Sequence, residues 1–290
     1  MTIDPKQTPP GKMHALLLGA VIPRPIAFAS TVDEQGQINL SPFSFFNVFS
    51  ARPPVLVFSP ARRARNNTVK HTYENVKRVP EVVINLVNYT MVQQASLASC
   101  EYPKGVNEFV KAGFTQVAST LIKPPRVGES PVSFECQVKQ VVELGAEGGA
   151  GNLVICEVVL MHINERVLDA EGRVDPIKLD AVARLGQDYY CRVQDPNIFV
   201  VAKPNEKLGI GFDALPAAVR NSAVLTGNDL AQLANVEALP PSADVQLWRQ
   251  SAESKGFEKA TTAELHQQAK SLIAAGDIAS AWKLLLAHAR

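Results

Sequence analysis

From Ser59 to Thr72 the chain reads Ser59-Pro60-Ala61-Arg62-Arg63-Ala64-Arg65-Asn66-Asn67-Thr68-Val69-Lys70-His71-Thr72, with three arginines, a lysine and two threonines in one short segment. That mixture suits an anion. A helix starting here would present free backbone N–H groups and the positive end of its dipole, and a cation with hydroxyls would complete a phosphate site. A solvated basic turn has the same composition, so the assignment needs a second element. Upstream, Asn39, Ser41, Ser44 and Asn47 are interleaved with Pro42, Phe43, Phe45 and Phe46. Hydrogen-bonding groups and apolar surface in one loop are what a planar heteroaromatic ligand requires, although Phe-rich segments beside strands also pack cores. Together the two segments describe a ligand with a flat end and a phosphate end.

Other chemistry is less well supported. His14, His162, His266 and His288 stand apart with no metal-ligand spacing and read as surface or satisfied core histidines. Cys100, Cys136, Cys156 and Cys191 form no Cys-x-x-Cys pair, so they read as reduced thiols serving as small hydrophobes. Glycine-rich Gly145–Gly151 is followed by a strand pattern rather than a helix and reads as a hairpin connector, not a phosphate loop.

The elements that must position these residues are mostly strands. Ile26–Thr31, Pro54–Ser59, Glu81–Val87, Val132–Val138, Asn152–Leu160 and Asn197–Val201 carry β-branched and aromatic residues between Pro, Gly and Asn turns. Asp33 to Gln37 supplies a hairpin turn, and Asn39 to Asn47 is read as a loop beyond it. This spacing predicts a closed or nearly closed antiparallel barrel interrupted by short helices over Asn67–Lys77 and Thr90–Ala98. After about residue 205, Ala217–Ser222, Asn228–Asn235, Thr262–Ala275 and Asp277–Arg290 show helical spacing, broken at Pro240-Pro241.

The ordered set Pro23-Arg24-Pro25-Ile26-Ala27-Phe28-Ala29-Ser30-Thr31, Asn39-Leu40-Ser41-Pro42-Phe43-Ser44-Phe45-Phe46-Asn47, Pro53-Pro54-Val55-Leu56-Val57-Phe58-Ser59, Lys70-His71-Thr72, Glu81–Val87 and Glu129–Cys136 resembles the flavin reductase-like, FMN-binding split-barrel family. The likeness runs over about residues 15 to 200. It implies a mainly β, antiparallel Greek-key split barrel over 12–204 with a helical extension over 205–290, assembled as a homodimer with one non-covalent FMN near each subunit interface. Carried over residue by residue, Ser41, Pro42, Phe43, Ser44, Phe45, Phe46 and Asn47 would line the isoalloxazine ring, and Ser59 and Pro60 the ribityl chain. Lys70 and Thr72, with Ser30 or Thr31, would reach the phosphate. His71 stands where many relatives carry Asp, which leaves its role open. Arg184-Leu185-Gly186 also resembles a family segment, departing at Gln187 from a common second Gly, and implies Arg184 on the flavin or substrate side. Arg24 is a candidate cation for the reduced ring, and its place between Pro23 and Pro25 suits a turn or a salt bridge as well.

In flavin reduction the ring accepts hydride, so the protein positions and polarises rather than attacks. The expected function is an NAD(P)H-dependent flavin reductase, alone or as the reductase component of a two-component monooxygenase with a partner protein. An FMN electron carrier with a protein donor is the alternative, and a barrel binding no flavin a third. No Gly-x-Gly-x-x-Gly follows a strand, so the choice between NADH and NADPH is not written in the sequence. With 290 residues, 46% hydrophobic, 20% charged and a net charge of +1, the chain has material for two domains and no overall charge for nucleic acid or membrane surfaces. Its polar, Pro-rich start and lack of long apolar runs predict a cytoplasmic protein.

Overall fold

The computed structural model describes residues 1–204 and 207–288. Contacts divide the chain into two units, Met1–Phe199 and Val200–Arg290. The first unit opens with helix α1 (Pro10–Ala20) and then builds its sheet from β1 (Ala27–Val32), β2 (Ile38–Phe43), β3 (Phe46–Ala51) and β4 (Pro54–Phe58). Helix α2 (His71–Arg78) leads into β5 (Glu81–Leu86), and α3 (Val92–Leu97) and α4 (Glu108–Ala112) follow. A small ribbon, β6 (Gln116–Val117) with β7 (Arg126–Val127), precedes the long arms β8 (Val132–Glu143) and β9 (Asn152–Ile163). Helix α5 (Pro176–Leu179) and a short hairpin, β10 (Val182–Arg184) with β11 (Tyr190–Arg192), complete the unit.

The main sheet has seven strands in the order β2-β1-β5-β8-β9-β4-β3, every neighbouring pair antiparallel. Its two edge strands, β2 and β3, are consecutive in the chain and joined only through Ser44 and Phe45. Two residues cannot span a flat seven-stranded sheet, whose strands lie about 4.8 Å apart, so the sheet must curl until its edges meet. The edges do not pair there, and the barrel is split. Its interior is filled by Ala27, Ala29, Phe43, Leu56, Phe58, Val82, Ile84, Cys136, Val154 and Cys156. A second cluster, including Phe28, Leu40, Met91, Phe109 and Phe114, packs α3 and α4 over β1 and β2.

Several expectations are corrected. The stretch Asn39 to Asn47 is not a loop but the end of β2, a two-residue crossing and the start of β3, because its polar and apolar residues alternate with the period of a strand. Asn197–Val201 forms no strand: Phe199, Val200 and Val201 are exposed, and β-branched composition makes a strand only where an edge accepts it. The helix expected from Asn67 begins only at His71, and that expected from Thr90 is a 3-10 turn over Tyr89–Met91 continuing into α3.

The second unit contains α6 (Ala217–Arg220), α7 (Gly227–Ala234), α8 (Ser242–Arg249), α9 (Ala252–Lys255), α10 (Thr262–Ala274) and α11 (Ile278–Ala287). The helix expected to reach Arg290 ends at Ala287, and residues 289–290 lie outside the described residues. Its core is its own: Leu225, Leu230, Leu233, Ile273, Trp282, Leu284 and Leu285. Thr226 and Thr261 close capping boxes with Asp229 and Glu264, which fix where α7 and α10 start.

Candidate functional site

A cationic cleft forms where β2, the loop after β4, and the start of α2 converge. No side chain caps α2; its N-cap is Lys70, whose own side chain makes no capping bond, so the first turn keeps the positive end of its dipole open. Thr72, in that turn, is buried, and its Oγ1 accepts a 2.9 Å hydrogen bond from Asn39 Nδ2 of β2. Asn75 Nδ2 similarly donates to Thr31 Oγ1 at 3.1 Å, so α2 is pinned to both β1 and β2. Arg63 is held by Nη1 hydrogen bonds to the Val69 carbonyl and Thr68 Oγ1, which leaves Nε directed at Glu101 Oε1 at 2.9 Å. Asn39, Ser41, Arg63, Lys70, His71 and Thr72 line one side of this cleft, and Ser99 to Tyr102 face them.

Burial pushes the Lys70 ammonium below its usual pKa and Arg63 adds to the effect, while Glu101 opposes it. Desolvation likewise lowers His71, with Arg63 next, so its imidazole stays neutral beside the cations. The basic loop is braced by the glycine-rich hairpin. Arg62 N donates to Ala150 O at 2.9 Å, Gly149 N to Arg62 O at 3.0 Å, and Asn67 Nδ2 to Ala146 O at 2.9 Å. A Cβ on Gly148 would meet Ala64 O at 3.0 Å, so the approach of the two backbones requires glycine there. The connector expected at 145–151 is therefore also a support for Arg62 and Arg63.

Ser99 also lines a second, wider cleft of about 360 Å³, walled by Ile26, Pro42, Phe43 and Ser44, by Ala95 and Ser96 of α3, and by Arg184 and Tyr190. The Arg184 guanidinium lies over the Tyr190 ring at 4.6 Å and donates to Gln187 O at 2.7 Å. An annex of about 190 Å³ adjoins it, sharing Val92, Ser96 and Tyr190 and adding Tyr89 and Arg192. Arg192 stacks on Tyr89 at 3.9 Å while its Nε binds Asp180 Oδ1 at 2.6 Å. This wider chamber, which Asp188 also lines, and the narrower cleft of Arg63 and Lys70 have Ser99 in common.

Of the residues singled out by sequence, Ser41, Pro42, Phe43, Ser44, Lys70, His71, Thr72 and Arg184 line these clefts. Arg24 does not: it is buried, and its Nη1 donates to Leu18 O and Val21 O at 2.6 Å each, Nη2 to Leu185 O at 2.9 Å. Only its Nε reaches toward the cleft, to Ser44 Oγ at 3.4 Å, so Arg24 positions Ser44 and the Arg184 strand rather than facing a ligand. Thr31 is buried against Asn75, and Ser30, also buried, has a hydroxyl without a hydrogen-bond partner among the described residues. Neither lines the clefts. Ser59 Oγ accepts from Asn152 N at 3.0 Å and Pro60 O from Asn152 Nδ2 at 2.9 Å, so both secure the base of the β8–β9 hairpin. Phe45, Phe46 and Asn47 belong to the crossing and β3; Phe45 sits edge-on to His14 and Asn47 Oδ1 accepts from Val48 N. Sequence reasoning missed Glu101, Ser99 and Tyr190 as site residues, which no local motif marks.

Residues 18–178 match the model of the flavin reductase like domain. An uncharacterized protein of Aquifex aeolicus (strain VF5) is 37% identical over 187 residues, 64% of this chain and 93% of that relative. Among solved structures, nitrilotriacetate monooxygenase component B from Bacillus cereus is 28% identical with a TM-score of 0.64, covering 69% of this chain and 98% of its own. The 2-nitrobenzoate 2-nitroreductase NbaA of Pseudomonas fluorescens is 26% identical with a TM-score of 0.61, covering 70% and 96%. With the split barrel and a matched segment that spans more than half its length, the chain belongs to the flavin reductase-like family.

Proposed function

We propose that the chain binds FMN non-covalently along the two joined clefts and is an NAD(P)H:flavin oxidoreductase. The observation that carries this reading is that a chamber of about 360 Å³ and a cleft lined by Lys70, Arg63 and the uncapped start of α2 share Ser99 in their walls. The donor set fits a phosphomonoester: two side-chain cations, backbone N–H groups at a helix start and a buried threonine hydroxyl. When bound, the flavin supplies the two-electron chemistry, accepting hydride from the nicotinamide. Ser44, held by Arg24, would offer a hydrogen-bonding hydroxyl at the ring end, and Arg184, with Asp188 in the same wall, would place a positive charge beside it. The Tyr89–Tyr190 annex is the space assigned to the nicotinamide.

The working form is a homodimer. Edge strand β3 exposes Val48 and Phe49, and Leu17, Val21 and Ile22 at the end of α1 are exposed as well, an apolar surface suited to a second copy. Delivery of reduced flavin to an oxygenase partner is the physiological role, and the likeness to a protein named as component B of a monooxygenase supports it. Among the described residues no helix is long and apolar enough to cross a membrane, and the four cysteines are free, which fits the cytoplasm.

The visible spectrum of the purified protein with FMN, followed by anaerobic addition of NADH and NADPH, tests the reading. The flavin band is expected to bleach with at least one of them. A flavin that binds but stays oxidised with both would turn the assignment to an electron carrier fed by a protein donor.

A further inference from the structure

The cations of the narrow cleft already have an anion in front of them. Glu101 lies in the segment that leaves α3, and its carboxylate binds Arg63 Nε at 2.9 Å, Arg65 Nη2 at 2.5 Å and Lys70 Nζ at 3.8 Å. Partial desolvation pushes its carboxyl up, but the Arg63 hydrogen bond and the charges of Arg65 and Lys70 prevail and hold it below the usual carboxylate range. It is therefore ionised at neutral pH. Arg63 has little freedom to serve two anions at once, because its Nη1 is committed to the Val69 carbonyl and Thr68 Oγ1 and its side chain is only 14% exposed. Arg65 is the opposite: its side chain is 77% exposed, so it offers Glu101 an anchor that can follow it into solvent.

We propose that Glu101 competes from within the chain for the phosphate position, and that it sets how readily a phosphorylated flavin exchanges. The proposal rests on the reading that Lys70 and Arg63 face the flavin phosphate. A phosphate entering the cleft meets a carboxylate on the same donors; like charges at that range repel, and each donor gained by the ligand is one lost by Glu101. Glu101 then moves away with Arg65 while Arg63 and Lys70 turn to the phosphate. The cost of that exchange falls on phosphorylated ligands alone. A flavin reductase that hands its flavin to another protein needs such a brake on its own affinity, whereas one that keeps a prosthetic group does not.

Fluorescence-quenching titrations of the full chain and its Glu101→Gln variant with FMN and with riboflavin, at two salt concentrations, decide the matter. Glutamine keeps the side chain's size and removes its charge. The variant is expected to bind FMN about three- to tenfold more tightly, with a steeper loss on added salt and with riboflavin affinity unchanged. If the variant binds FMN equally or more weakly while the wild-type chain still prefers FMN to riboflavin, Glu101 merely orders Arg63 and the proposal fails alone. If the wild-type chain binds FMN and riboflavin equally, the phosphate reading fails and takes the role of Glu101 with it.

Discussion

At the scale of single residues, the site divides into groups that face a ligand and groups that hold them. Lys70 faces it. Its ammonium is partly desolvated and flanked by Arg63, so it gains more from a phosphate than an exposed lysine would. Lys70→Ala is expected to weaken FMN binding by about 1.5 to 3 kcal/mol and leave riboflavin binding nearly unchanged, as read by paired titrations. Equal losses for the two ligands would mean that Lys70 shapes the cleft without touching phosphate. Ser44, Lys70 and Thr72 were singled out because each belongs to a short run whose chemistry is local, and Arg184 because its segment resembles the family's; all four line the clefts. For Arg24 the sequence left a ligand role and a structural role open, and the carbonyls of Leu18, Val21 and Leu185 that claim its guanidinium favour the structural one. Glu101 was invisible, since only the tertiary fold brings it to Arg63, 38 residues earlier.

Elements are positioned by buried polar ties that no periodicity records. The long arm β8 carries Glu135, fully buried, whose Oε1 accepts from Thr120 N and bonds His162 Nε2 of β9, while Oε2 accepts from Leu121 N, all at 2.7 Å. One carboxylate thus fastens the β6–β7 loop to two strands, and His162, read from sequence as isolated, is its partner. Burial raises the Glu135 carboxyl, but the Thr120 amide, His162 and the Leu121 amide together bring it below the usual range. A folded-state value below the unfolded one contributes stability above about pH 4.3 and loses it as pH falls toward the folded value. Glu135→Gln is expected to cost about 2 to 4 kcal/mol at pH 7, since one amide oxygen replaces the two carboxylate oxygens that accept from Thr120 N and Leu121 N. Thermal unfolding at pH 7 and again near pH 4 checks this: the gap between wild type and variant should narrow in acid. A gap that stays constant would show that the carboxylate's charge contributes nothing. The strands themselves were legible wherever an edge was ready to pair; Asn197–Val201 has the same composition and no partner, so composition alone misled.

In the whole molecule, each of the two units has apolar clusters of its own. The apolar clusters of the barrel lie within Met1–Phe199 and that of the helices within Val200–Arg290, and the matched family segment ends at residue 178. Both tryptophans, Trp248 and Trp282, belong to the helical unit; Trp282 is buried, with Nε1 donating to Leu233 O at 3.0 Å. Tryptophan emission therefore reports on the helical unit, and release of a flavin held in the proposed clefts would report on the barrel unit. A ligand stabilises only the cooperative unit that binds it, by about 2.7 kcal/mol at a hundredfold excess over its dissociation constant. Because the clefts proposed to hold FMN are lined by residues of the first unit, added FMN is expected to raise the midpoint of flavin release and leave the midpoint of tryptophan emission where it was. Thermal unfolding of the full chain followed by both signals makes the comparison in one sample. If FMN moves the two midpoints together, the helices unfold as part of the barrel's cooperative unit, and flavin affinity then has to be read as a property of all 290 residues rather than of the matched domain.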